Sequence, residues 1–232
     1  MHEELLAEVA SDWTASGVLP ELIGLLRDVW RTNLDRHEPA LGDDAVTLGM
    51  GSARNYANRT VQEFAQRRDV LADLQGNSLR VVHLGRVLRA SKLPGKTVLA
   101  DPYSIDWDSS ATRHQGPAAN SQQLQLFEGF ESPDVELAAN AASGSPRYLH
   151  LAWAGDAETG EVAAHLGFPR DTKDGAGPWF AVQLVHRDLP GDQLPIVPAV
   201  GYDADRFDQR PVPPIAVRLR GTEQQAAGND GA

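Results

Sequence analysis

Three short strand-like runs lie close together in the middle of the chain, and glycine turns separate them. The runs are VLADL (70–74), SLRVVHL (78–84) and RVLRASKL (86–93). Gly76-Asn77 follows the first run and Gly85 follows the second, and turns this short join antiparallel strands. The segment therefore predicts the antiparallel part of a sheet.

The first 38 residues predict a helical hairpin. Apolar residues recur at helical spacing over 5–13 and again over 22–34, with Gly17 as the stop between them. Trp13 and Trp30 lie on the apolar faces, so we expect them to pack in the core or against a second subunit. A homodimer through this hairpin is the alternative to packing within one chain.

The rest of the chain predicts further helices and strands. Helices are expected at 43–49, 52–67 and 117–130, with Asp43 or Asp44 as the first N-cap. Strands are expected at 148–156, 161–169, 178–185 and 215–220. The fold class is α/β (α+β): an N-terminal helical hairpin, then a mixed or antiparallel sheet with packed helices. The expected division is 1–38 for the hairpin, 43–220 for an α/β body in one domain with it, and 221–232 for a disordered tail.

Composition excludes several classes of protein. The chain has no cysteine, which excludes a disulfide scaffold, thiolate metal sites and thiol nucleophiles. No apolar run reaches the roughly 20 residues that cross a bilayer, so no membrane partner is expected. The start MHEELLAEVASDW lacks the basic and apolar regions of a signal peptide, so the expected location is the cytoplasm. Eighteen arginines against three lysines favour a GC-rich bacterial genome.

Charge is distributed unevenly along the chain. The net charge of −11 argues against a general binder of polyanions. Residues 54–96 nevertheless hold nine Lys and Arg against three acids, a net charge of +6, whereas residues 1–53 carry −7 and residues 97–232 carry −10. This basic block indicates a local anion site, or a contact between opposite charges within the chain or between subunits.

Residues 90–97 match the permissive phosphate-loop pattern, with Ala90 in the first glycine position. A working loop requires a helix N-terminus directly after Thr97 to hold the phosphates. Pro102 follows five residues later and no helical period is present. We therefore expect a strand followed by a Pro-Gly turn.

The helix, three strands, helix and strand between 52 and 154 resemble in their order the core of PD-(D/E)xK nucleases. The resemblance implies an acid at the end of the second core strand and an acid–x–Lys pair on the third, with the acids holding a metal ion. Ala90-Ser91-Lys92 is the matching triplet, and Ala90 stands where the acid belongs. No Asp or Glu occurs between Asp73 and Asp101, so the resemblance favours a relative without nuclease activity.

The basic block also indicates a helix–turn–helix motif with a wing. Residues 43–67 would supply two helices around a turn at Gly49 and Gly51. Side chains of the second helix would read base edges, and those of the strands would contact phosphates. The candidate residues are Arg54, Asn55, Asn58 and Arg59 on the helix and Arg80, Arg86, Arg89 and Lys92 on the strands. The alternative is that Arg54 and Arg59 pair with acids of the N-terminal hairpin.

No arrangement of residues predicts catalysis or a metal site. His150 and His165 could face each other across a hairpin, but no third ligand is evident. The acids at 101, 106 and 108 share one loop without the spacing of an EF-hand, so a solvated loop is expected. We assign no catalytic residue, no metal ligand and no cofactor.

These patterns favour a non-enzymatic regulator or antiphage defence component of the bacterial cytoplasm. It would act through a protein partner, nucleic acid or both, with the basic block as the contact surface. The alternative is a metal-dependent PD-(D/E)xK nuclease, or a phosphate-loop enzyme with a degenerate motif. An acid near Lys92 or a helix directly after Thr97 would favour that alternative.

Overall fold

The computed structural model describes residues 2–128 and 145–188. The helices are α1 (His2–Ala15), α2 (Val18–Leu34), α3 (Ala45–Phe64) and α4 (Ala111–Glu128). The strands are β1 (Leu71–Gln75), β2 (Ser78–His83), β3 (Arg86–Lys92), β4 (Tyr148–Gly155), β5 (Val162–Pro169) and β6 (Trp179–Arg187). The strand predicted at 215–220 and the tail predicted at 221–232 lie outside the described residues, and the domain division stays a prediction.

The six strands form one mixed sheet in the order β1-β2-β3-β4-β5-β6. β3 and β4 are parallel, because α4 carries the chain back between them, and every other neighbouring pair is antiparallel. Gly76 and Asn77 both have positive φ, as the tight β1–β2 hairpin requires. The predicted α/β class is confirmed, and the predicted order of helix, three strands, helix and strand is present as α3, β1–β3, α4 and β4.

The N-terminal hairpin packs against the sheet of its own chain. Gly17 ends the first helix with a φ of 78°, and the two helices share one core with the strands. Trp13 and Trp30 are fully buried there, and the Trp30 indole N–H donates to the Asp156 carbonyl oxygen over 3.2 Å. Gly155 makes this approach possible, because a Cβ at that position would lie 2.5 Å from the Trp30 ring. Packing within the chain is therefore confirmed, whereas the homodimer stays a prediction.

The sheet separates two apolar clusters. Helices α1, α2 and α3 cover one face, which contains alternate residues of β4 such as Leu151 and Trp153. The segment after β3 covers the other face with Ile105 and Trp107. The Trp107 indole donates to the Pro178 carbonyl oxygen over 3.0 Å, so this segment is fixed against the start of β6.

The helix–turn–helix prediction is wrong, because α3 runs from Ala45 to Phe64 without a turn. Asp44 is its N-cap, as predicted, and its carboxylate accepts from the Thr47 amide over 2.7 Å. Gly49 and Gly51 lie inside the helix, where each glycine costs about 1 kcal/mol relative to alanine. Gly49 has a packing reason: a Cβ there would lie 3.2 Å from the Lys92 Cδ. Gly49, which the sequence pattern placed in a turn, therefore leaves room for the aliphatic part of the Lys92 side chain.

Helix α4 begins six residues before the predicted start. Ser110 precedes its first residue, and the Ser110 hydroxyl accepts from the Arg113 amide over 3.2 Å. Pro117 therefore lies inside the helix, not at its beginning. Asn120 is fully buried and bonds the backbone of both Tyr148 and Pro169, which ties the helix to β4 and β5.

Candidate anion-binding site

A cavity of about 910 Å³ lies where β3 ends. Helix α3 forms one wall, and the segment after β3 and the first turn of α4 form another. Side chains from both faces of β3 reach it, because Lys92 packs against Gly49 of α3 whereas Arg89 bonds Gln115 of α4. We call this space the β3-end cavity, and its location at the carboxyl end of a parallel strand is a common place for a ligand.

Basic side chains predominate among the charged residues that line the β3-end cavity in the described chain. Five are present: Arg54, Arg89, Lys92, Lys96 and Arg113. Asp106 is the one acidic residue among the described lining. A recess with this imbalance attracts anions even though the whole chain is acidic.

Arg89 is the most deeply buried of these cations, with 5% of its surface exposed. Its Nη2 donates to Gln75 Oε1 over 2.6 Å and to Gln115 Oε1 over 3.1 Å. Its Nε and Nη1 are buried and have no hydrogen-bond partner among the described residues. Burial lowers the pKa of Arg89, but an arginine keeps its proton in proteins. The protein thus buries a positive charge with two donors free and neutral amides as its only partners in the described chain.

Lys92 and Arg113 add two partly buried cations. Lys92 donates to the Gly95 carbonyl oxygen over 2.9 Å, and no described carboxylate lies within ion-pair distance of it. Burial is the cause that lowers the Lys92 pKa. Arg113 donates to the Ser109 hydroxyl over 2.9 Å, and burial lowers its pKa although Asp106 acts in the opposite direction.

Ser91 and His150 form a polar pair in the cavity wall. The Ser91 Oγ lies 2.8 Å from the His150 Nε2, and both side chains are buried. Burial, together with the nearby positive charges of Arg113 and Arg89, lowers the pKa of His150 to about 3. The imidazole is therefore neutral at pH 7.

Apolar side chains complete the mouth of the cavity. Val46 and Met50 lie one turn apart on α3 and are 66% and 70% exposed. Exposed apolar groups beside a cluster of cations suit a ligand that has an apolar part as well as a negative charge.

The structure divides the eight predicted residues into three groups. Arg54, Arg89 and Lys92 line the β3-end cavity. Arg80 is instead paired with Asp73, with Nε 2.9 Å from Oδ1. Arg86 is half-buried, donates to the Pro146 carbonyl oxygen and lies over the Phe168 ring. These last two arginines are occupied within the fold, so their predicted contact with phosphates has no support in the structure.

The third group lies on another surface. Asn55, Asn58 and Arg59 line a groove of about 300 Å³ between α2 and α3, and we call it the α2–α3 groove. The alternative that Arg54 and Arg59 pair with hairpin acids is not seen in the described residues. Arg67 makes such a pair instead, with its Nη1 2.9 Å from Glu21 Oε2.

The eight predicted residues omit Ser91, Lys96, Arg113 and His150, which also line the cavity. Ser91 and Lys96 lie within the phosphate-loop match at 90–97 but were not predicted as site residues, and Arg113 and His150 lie far from the basic block in sequence and follow no motif that points to this site. The turn after β3 brings Arg113 to the cavity, and the parallel pairing of β3 with β4 brings His150 opposite Arg89. The acids of the same segment have local roles: Asp101 and Asp106 accept from the amides of Tyr103 and Asp108.

Neither enzymatic alternative fits the described residues. Ala90 and Lys92 both line the cavity, so it occupies the place that the nuclease resemblance implies, but Asp106 alone supplies a carboxylate. In residues 2–128 and 145–188 no three His, Asp or Glu side chains are grouped to hold a metal ion. After Thr97 the chain forms turns, and the next α-helix begins at Ala111, so the phosphate-loop context is missing.

Comparison of the chain with protein-family models, with curated proteins and with solved structures finds no match. Along the described ranges no helix combines the length and apolarity that crossing a bilayer demands. The interpretation of the site therefore depends on its own geometry.

Proposed function

We propose that this protein binds a phosphate-bearing nucleotide in the β3-end cavity, and that it acts by binding and not by catalysis. The observation that carries the proposal is Arg89, a buried cation that lines the cavity and whose hydrogen-bond partners among the described residues are neutral amides. A buried charge without a partner is costly, and a bound anion would satisfy it.

The number of cations favours a phosphate over a single carboxylate. Arg89, Arg113 and Lys92 line one cavity with Asp106 as the only described acid. A phosphate monoester carries about −1.5 to −2 charges at pH 7 and has three strong acceptor oxygens. Guanidinium groups match phosphate oxygens with two parallel hydrogen bonds.

The size and the apolar mouth favour a nucleotide over inorganic phosphate. The cavity volume of about 910 Å³ lies near the upper end of the range for small-molecule sites, about 300–1,000 Å³. Val46 and Met50 offer an apolar surface for a base, while the cations of the wall take the phosphate.

The one nucleophile–base pair of the cavity supports binding rather than catalysis. A general base works best with a pKa near the pH of the reaction, and the His150 pKa of about 3 lies far below neutrality. Ser91 and His150 are better suited to orienting a ligand through hydrogen bonds. A regulatory or defence role in the bacterial cytoplasm is compatible with this activity and stays a prediction.

Isothermal titration calorimetry tests the proposal with inorganic phosphate, nucleosides and nucleoside 5′-monophosphates as separate ligands. We expect a monophosphate to bind and the matching nucleoside to bind at least tenfold more weakly. Arg89→Met should weaken monophosphate binding by about 10- to 100-fold, because hydrogen bonds to charged groups contribute about 1.5–3 kcal/mol each.

Arg68→Met is the matched control, because Arg68 is exposed and does not line the cavity. Its affinity for the monophosphate should equal that of the parent. Equal binding of nucleoside and monophosphate, or unchanged affinity in Arg89→Met, would refute the proposal.

A further inference from the structure

The α2–α3 groove has the polar chemistry of a nucleic-acid contact, and no acidic residue is found among the described residues of its lining. Its eight residues include two arginines, three asparagines and a glutamine: Arg36, Arg59, Asn33, Asn55, Asn58 and Gln62. Neither Arg36 nor Arg59 has an ion pair with a described residue, although the protein is strongly acidic. Exposed arginines and amides can bond both phosphates and base edges.

The groove and the β3-end cavity lie on opposite flanks of one helix. Residues 46, 50 and 53 of α3 line the cavity, and residues 55, 59 and 62 line the groove. Arg54 and Asn58 are one turn apart on the exposed side between these flanks, because residues four apart in a helix are neighbours. Arg54 reaches the cavity and Asn58 reaches the groove, so exposed polar side chains connect the two.

Asn33 and Asn55 join the two helices that border the groove. The Asn55 Nδ2 donates to the Asn33 Oδ1 over 2.8 Å, which joins α2 to α3 at this level. Thr32 of α2, Arg36 of the turn after α2 and Arg59 of α3 line the same solvent-exposed space. The groove is therefore formed by more than one element of the fold.

We infer that the nucleotide of the β3-end cavity is the terminal nucleotide of a single-stranded nucleic acid. The strand would cross the exposed side of α3 at Arg54 and Asn58 and continue in the α2–α3 groove. This inference rests on the proposed function, since it places the terminal phosphate among Arg89, Arg113 and Lys92. A helix with its side chains is about 10–12 Å wide, so a segment of a few nucleotides spans the distance.

Fluorescence anisotropy with labelled thymidine and uridine trinucleotides tests the path, with a terminal phosphate at the 5′ or the 3′ end. We expect a trinucleotide of at least one kind to bind more tightly than the corresponding mononucleotide, by tenfold or more. The double variant Arg36→Ala/Arg59→Ala should remove this gain and leave the mononucleotide affinity unchanged. It should also lower the slope of log K against log salt concentration by about 1.4, since each phosphate contact on a single strand contributes about 0.7.

Arg68→Ala/Arg147→Ala is the control for charge, because both arginines are exposed and neither lines the groove or the cavity. It should bind trinucleotides like the parent. A trinucleotide that binds no better than a mononucleotide would overturn the strand path and leave the proposed function intact.

Absence of any mononucleotide or trinucleotide binding would overturn both. A poly-glutamate peptide that displaces the trinucleotide at equal charge would show a general acidic-partner surface, and it would also overturn the strand path. Both double variants should keep the melting temperature of the parent, because all four arginine side chains are exposed. A loss of binding at an unchanged melting temperature then reports on the surface and not on unfolding.

Discussion

Arg89→Met is the change that best separates a ligand-binding role of Arg89 from a structural one. The substitution keeps the length and apolar stem of the side chain and removes the charge. It loses the two hydrogen bonds to Gln75 and Gln115, and it also removes two buried donors that have no partner in the described chain. Hydrogen bonds from a charged group contribute about 1.5–3 kcal/mol each, and an unsatisfied buried donor costs about 1–3 kcal/mol. The two effects nearly cancel, so the free energy of unfolding should change by less than about 1 kcal/mol.

Urea unfolding followed by circular dichroism measures this prediction with and without a nucleoside monophosphate. Ligand at 100 times its Kd should stabilise the parent by about 2.7 kcal/mol. The Arg89→Met variant should gain only about 0.4–1.4 kcal/mol at the same ligand concentration, because binding that is about 10- to 100-fold weaker leaves the ligand at about 1–10 times its Kd. The slope of free energy against urea should be unchanged, because the fold itself is retained.

A loss of about 3–5 kcal/mol without ligand would contradict this reasoning. That is the cost of breaking a buried charge network by removing one partner. Such a result would show that the fold itself requires the Arg89 charge, and the argument for an anionic ligand would lose its main observation.

Three further predictions concern the hairpin, α3 and His150. Trp30→Ala should lower the free energy of unfolding by about 3–5 kcal/mol, because the ring is 2% exposed between Trp153 and Gly155, and a melting temperature equal to that of the parent would exclude core packing. Gly49→Ala should raise helix stability by about 0.5–1 kcal/mol and still weaken nucleotide binding several-fold, because its Cβ would displace Lys92. Gly51→Ala has open space around its Cβ, so it should raise stability and leave nucleotide binding unchanged. Equal nucleotide affinities in the two variants would refute the role of Lys92. The neutral buried His150, with a folded pKa of about 3 against 6.5 when unfolded, contributes stability above pH 6.5 that is lost as pH falls, by about 1.4 kcal/mol per pH unit between pH 6 and pH 4. His150→Gln should flatten that dependence in urea unfolding at pH 7, 6 and 5, and an identical slope in both proteins would show that the histidine is not buried neutral.

Short sequence patterns predicted the helices, strands and turns well where the backbone conformation depends mainly on residues nearby in the sequence. The glycine turns of the β1–β3 meander and the stop at Gly17 are such cases, because their positive φ angles can be anticipated from residue type. The same reasoning failed at Gly49, where the deciding contact is with Lys92. The two residues of this contact lie 43 positions apart in sequence, and no local propensity contains that information.

The site was predicted only in part, for a related physical reason. The basic block includes Arg54, Arg89 and Lys92, which line the candidate cavity, but charge along the sequence does not show which arginines the fold uses internally. Arg80 opposes Asp73 across the β1–β2 hairpin, and this register is visible only when the strands are paired. Arg113 and His150 lie outside the basic block and join the site through the sheet and the α4 crossover.

The most direct test of the central claim is the NMR signal of the Arg89 Nε–H group during titration with a nucleoside monophosphate. The signal is assigned by its loss in Arg89→Met. Because Arg89 lines the cavity, a phosphate that binds beside its guanidinium group should shift this resonance in a saturable way, with the same Kd as calorimetry gives. A monophosphate that binds while the Arg89 signal stays in place would contradict the account, because the ligand would then occupy another site.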